Sequence, residues 1–93
     1  RRDYVLARLR EIGFDVVEPD GAFYVFPSIE KFGMSSDEFC TRLIAEKGVA
    51  LVPGSCFAAE GFVRLSYCCS MENLEEGLNR LAAFVQSLEQ HSV

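Results

Sequence analysis

The sequence has little positive charge and no cluster of it. Nine Lys and Arg stand against fourteen Asp and Glu, giving a formal net charge of -5 and a pI near 4.8. An acidic chain without a basic patch is a poor partner for nucleic acid or an anionic membrane surface. No apolar run approaches the length needed to span a bilayer, and no stretch has the pattern of a signal peptide. Histidine occurs once, as His91. The four cysteines, Cys40, Cys56, Cys68 and Cys69, lack the two close pairs of a metal site. Only Cys68 and Cys69 are close, and adjacent residues of a strand point to opposite faces. No metal is expected, and the cysteines read as reduced, mostly buried thiols of a cytoplasmic protein. Internal repeats and low-complexity linkers are also absent.

What is present is an ordinary globular composition. The 93 residues are 49% apolar and 25% charged, enough for one small domain with a modest core. The opening Arg1-Arg2-Asp3 is already in helical pattern by Tyr4, which reads as a piece of a longer chain. One domain is expected over 1–88, with 89–93 a frayed tail.

The pattern predicts helix over 2–12, with Val5, Leu6, Leu9 and Ile12 on one stripe and Gly13 as the stop. Phe14-Asp15-Val16-Val17 is a strand candidate. Pro19-Asp20-Gly21 is a turn, and Ala22-Phe23-Tyr24-Val25-Phe26 a strand that Pro27 should end. Ser35 and Glu38 form a capping box for a helix burying Phe39, Cys40, Leu43 and Ile44, which Gly48 stops. Val49-Ala50-Leu51-Val52 is a short apolar strand broken by Pro53-Gly54. Phe62-Val63-Arg64-Leu65-Ser66-Tyr67 is another. Ser70 caps a last helix with the seam Leu74, Leu78, Leu81, Val85 and Leu88. The fold class expected is α/β: a two-layer sandwich, with a small mixed sheet of about four strands and helices mainly on one face.

Arg64 stands out. Alternation puts Phe62, Arg64 and Ser66 on one strand face and Val63, Leu65 and Tyr67 on the other, under the helices. A guanidinium in an apolar strand needs a partner, and a carboxylate suits its fork best. The nearest acids in sequence are Glu60 and Glu72, so the partner is a distant acid or a ligand.

Read in order, these segments resemble a known family. Arg1-Arg2-Asp3, the Ile12-Gly13-Phe14 stop, Gly21-Ala22-Phe23-Tyr24-Val25-Phe26, Pro53-Gly54 with Phe57, and Val63-Arg64-Leu65-Ser66-Tyr67 carry the likeness. Together they are similar to the C-terminal small domain of fold-type I, class I/II pyridoxal-phosphate (PLP) aminotransferases, in the aspartate, aromatic and diaminopimelate branch. The resemblance implies that Arg64 pairs with the α-carboxylate of an amino-acid or 2-oxo-acid substrate. It implies that Gly21 and Phe23 lie near the substrate entrance. Taken alone, Phe23, Tyr24 and Phe26 read as core aromatics, at least two of them. It places Pro53, Gly54 and Phe57 on a loop bordering the active site, whose plainer reading is a turn with one anchoring aromatic. Cys68 and Cys69 replace residues that are commonly small in the family, and Cys56 lies in the loop. All three read as packing, with Cys56 reactive if exposed.

The family's Schiff-base lysine, the aspartate that partners the pyridine nitrogen and the phosphate-binding residues belong to a larger preceding domain. Lys31 and Lys47 read as surface lysines. The resemblance therefore implies an aminotransferase parent that uses PLP, pairs with that preceding domain and forms a homodimer. It implies no catalytic residue and no tight PLP binding in this chain. Two other readings stay open: a free-standing α/β ligand-binding or regulatory module for a small carboxylate, and a structural or dimerising domain with Arg64 in an ordinary salt bridge.

Overall fold

A computed structural model describes residues 2–17, 23–67 and 70–90 of the chain. Helix α1 (Arg2–Ile12) leads to strands β1 (Asp15–Val17) and β2 (Tyr24–Ser28). Helix α2 (Ser36–Lys47), strands β3 (Val52–Pro53) and β4 (Val63–Ser66) and helix α3 (Met71–Gln90) follow, with 3-10 turns at Glu30–Phe32 and Gly54–Phe57. None of the described helices is long and apolar enough to cross a membrane.

The helix boundaries follow from local chemistry. At the start of α2, Ser35 Oγ accepts the Glu38 amide at 3.1 Å, and at its end Gly48 takes φ 70°, where a side chain would be strained. Ser70 Oγ accepts the Asn73 amide at 3.2 Å and so caps α3. That helix continues through Gln90, so Glu89 and Gln90 belong to it rather than to a tail starting at 89. No glycine or proline lies between Leu88 and Gln90 to stop it.

The four strands form one sheet in the order β1-β2-β4-β3, antiparallel at every junction. A mixed sheet was expected. The route from β2 through α2 to β3 would give a parallel pair if the two were neighbours, but β4 returns between them and pairs with both. Pro27 does not end β2: it sits inside the strand, opposite Val16. It has no N–H to donate, and it falls in the gap of the β2–β4 ladder between the Val25↔Leu65 pair and the bridge Ser28↔Phe62. Strand β3 is shorter than the Val49–Val52 apolar run predicts and includes Pro53. As an edge strand it pairs only with β4, through Val52↔Arg64 and Pro53↔Val63.

The core lies on one face of the sheet. Val25, Val63 and Leu65 meet Val5 and Leu9 of α1, Phe39 and Leu43 of α2, and Leu78, Leu81 and Phe84 of α3. Burying each such side chain contributes about 1.5–3 kcal/mol. Three expectations about burial fail. Ile44 is 53% exposed because it is turned off the face of α2 that carries Phe39 and Leu43. Cys56 is exposed, whereas Cys40 is buried. Phe23 and Tyr24 are 63% and 36% exposed and Phe26 only half-buried. The alternation of β2 sends Val25 into the core, and Tyr24 and Phe26 to the face without helices.

Candidate functional site

The site is built on that open face. Val63 and Leu65 are drawn into the core, so Arg64 between them must emerge on the other side. Strand β4 is paired on both edges, to β2 and to β3, which gives Arg64 a firm base. Its guanidinium carbon stands 4.4 Å from the ring centroid of Tyr24 and 5.8 Å from that of Phe57. Phe57 in turn meets Phe26 edge-on, with centroids 5.6 Å apart. Two aromatic faces favour the cation without neutralising it.

Arg64 Nε is buried and has no hydrogen-bond partner. Ion pairs among the described residues include Arg8 with Glu11, Arg42 with Glu46 and Arg80 with Glu76, and none of these involves Arg64. Leaving a buried donor unmet costs about 1–3 kcal/mol. An arriving carboxylate would supply the missing acceptor. Phe57, whose ring meets the guanidinium, lines with Phe26, Ala59 and Phe62 an apolar depression of about 250 Å³. The charge and the greasy hollow together suit a small acid with an apolar portion.

The loop that carries Phe57 is fastened at its base and on its outer side. At the base, the Gly54 amide donates to Phe62 O at 2.8 Å, and the Ala59 amide donates to Gly54 O at 2.8 Å. A Cβ on Gly54 would stand 1.9 Å from Ala59 O and 2.5 Å from Phe62 O, so only glycine fits. On the outer side, Ser36 is buried, and its hydroxyl donates to Glu60 Oε2 at 2.5 Å. The Ser36 amide donates to Glu60 Oε1 at 2.9 Å, and Ser36 Oγ accepts the Ser55 amide at 3.2 Å. Ser55 Oγ donates to Asp37 Oδ1 at 2.7 Å. The Ser36 hydroxyl, followed by its amide, holds the Glu60 carboxyl below its usual pKa. The acid nearest before Arg64 in sequence is therefore committed to the N-terminus of α2.

Of the residues singled out in the sequence, Arg64 and Phe57 come together, and Pro53 and Gly54 shape the loop between them. Phe23 stays apart: it meets Tyr67 edge-on with centroids 6.1 Å apart, and its carbonyl accepts the Tyr67 amide. Gly21, Cys68 and Cys69, with the Pro19-Asp20-Gly21 turn, lie outside the described residues. Tyr24, Phe26 and Phe62 were not read as site residues. The alternation that turns Arg64 away from the core could have found them, applied to both strands at once. Ser36 and Glu60 give no such signal.

Neither lysine shares this face. Lys31 Nζ donates to the Gly13 carbonyl and lies 5.4 Å from the Phe32 ring centroid. Lys47 closes α2, where its carbonyl accepts from Arg80. Neither lines the hollow beside Arg64. A PLP aldehyde would therefore find no lysine amine at this site among the described residues.

Comparison with known proteins gives consistent results. The profile of the family described as "Aminotransferase class I and II" matches residues 1–81. The chain is 59% identical over 87 residues to a probable N-acetyl-LL-diaminopimelate aminotransferase of Bacillus subtilis, covering 91% of this chain and 22% of that protein. It superposes on the crystal structure of aspartate aminotransferase from Thermotoga maritima with a TM-score of 0.85 and 46% identity, over 91% of this chain and 22% of the other. On an aromatic aminotransferase from Pyrococcus horikoshii the TM-score is 0.90 at 42% identity, over 95% of this chain and 24% of the other. The chain thus spans between a fifth and a quarter of the length of the relatives it matches.

Proposed function

The chain belongs to the class I and II aminotransferases, and on that footing we propose that it is the part of such an enzyme that holds the substrate carboxylate, with Arg64 as the holding residue. The observation that carries this is the buried, unpartnered Nε of Arg64 between two aromatic rings. A guanidinium binds a carboxylate through two parallel hydrogen bonds, which fixes orientation as well as position. Tyr24 and Phe57 keep it in place, and the hollow of Phe26, Ala59 and Phe62 takes an apolar part of the substrate. The parent enzyme would move an amino group between an amino acid and a 2-oxo acid.

PLP supplies the electron sink for that chemistry. Residues outside this chain would hold it, in the preceding domain and in a homodimeric parent. What these residues contribute is binding and orientation. By itself the chain should not transaminate.

Kinetics of the full-length protein test the reading. Arg64→Ala should cost about 2–5 kcal/mol in kcat/KM for amino-acid donors, as for a truncated buried charge pair. The absorbance of bound PLP should be unchanged. An unaltered kcat/KM with several donors rules the assignment out.

A further inference from the structure

Phe57 reaches the guanidinium from the middle of a loop, and that loop is tied to α2 on both sides of the ring. Ser55 precedes Phe57 and Glu60 follows it, and both bind Ser36. A serine hydroxyl has one proton to give and lone pairs to receive. Here it gives its proton to Glu60 and receives the Ser55 amide. Ser36 is fully buried, while the Glu60 side chain that it binds is exposed. Glu60 takes both the hydroxyl and the amide of the same residue, one on each carboxylate oxygen.

We infer that Glu60, acting through Ser36, is a positioning residue: it ties the loop to α2 so that the Phe57 ring stands against the Arg64 guanidinium. The inference rests on the carboxylate-binding role of Arg64. Without Glu60, the Ser36 amide and hydroxyl lose their acceptors. The loop then hangs by its base bonds and the single limb at Ser55. Phe57 is freed from the guanidinium, and Arg64 is left with Tyr24 alone as an aromatic wall. The predicted loss falls on substrate capture and not on the chemical step, because Glu60 touches neither Arg64 nor the hollow beside it.

The test is steady-state kinetics of the full-length protein with 2-oxoglutarate as acceptor and several amino-acid donors. Glu60→Ala should raise KM about five- to tenfold, the loss of one or two ordinary hydrogen bonds, while kcat stays within about twofold. Glu60→Gln keeps an acceptor for the Ser36 amide and should recover part of the loss. Phe57→Ala should raise KM similarly, and Glu60→Ala with Phe57→Ala should be no worse than the worse single change, because both remove the same contact. A lowered melting temperature with unchanged KM, or fully additive effects, overturns the inference. If Glu60→Ala does not fold, Ser36→Ala removes the hydroxyl that donates to Glu60 and accepts the Ser55 amide, and the same KM rise and the same non-additivity with Phe57→Ala decide. Arg64→Ala is measured alongside. If it leaves KM unchanged, the carboxylate-binding role itself fails. If it raises KM while Glu60→Ala and Ser36→Ala do not, only the positioning role fails.

Discussion

Among the described glycines, Gly54 has the least room for a side chain. It occupies the point where the loop crosses its own return path, under the carbonyls of Ala59 and Phe62. A methyl group there must displace backbone, not a flexible side chain. Gly54→Ala should therefore destabilise the fold by roughly 2–4 kcal/mol, read as a fall in the melting temperature, and loosen Phe57 with it. A melting temperature equal to the parent's would show that the loop can open without cost. At this scale the sequence is informative about charge and mute about long contacts. Arg64 announces itself, because a permanent cation in an apolar strand is an anomaly that can be seen within six residues. Ser36 and Glu60 are twenty-four positions apart, and each has an ordinary local reading. Tyr24 was read as core because aromatics in a strand usually are, while the register that turns it toward Arg64 is fixed only by pairing with Ser66.

Among the elements, α3 shows how a strong local pattern survives folding. Leu74, Leu78, Leu81 and Val85 are all buried as their spacing requires, and Phe84 joins them and meets Phe39 edge-on at 5.3 Å. The helix caps and the glycine stops were equally legible, since each depends on a few neighbouring residues. Strand ends were not. Pro27 and Pro53 both lie inside strands, because whether a strand tolerates a missing N–H depends on its partner and not on its own sequence. One flaw remains in α3: Gly77 lies mid-helix, beside a cavity of about 190 Å³ that Leu51, Leu65, Leu74 and Leu78 help to line. A Cβ there would have nothing within 4 Å. Gly77→Ala should stabilise the protein by about 0.5–1 kcal/mol through helix propensity and a less free unfolded chain. Chemical denaturation measures this, and a loss of stability would mean that the cavity wall closes on the new methyl.

As a whole, the molecule is lopsided. One sheet face is sealed by α1, α2 and α3, and the other presents Tyr24, Phe26, Phe57 and Phe62 around a cation. The 93-residue chain alone should therefore bind an uncharged hydrophobic dye such as Nile red, and Phe26→Ser should weaken the signal. A folded chain, judged by circular dichroism, that leaves the dye dark would mean that the hollow is closed in solution.

The placing of β4 has a mechanical consequence. A strand gripped on both edges cannot slide or swing without tearing the sheet, so Arg64 has no travel of its own beyond the bending of its side chain. Any larger approach of guanidinium to carboxylate must be made by the ligand, or by the helices and sheet swinging together as one arm.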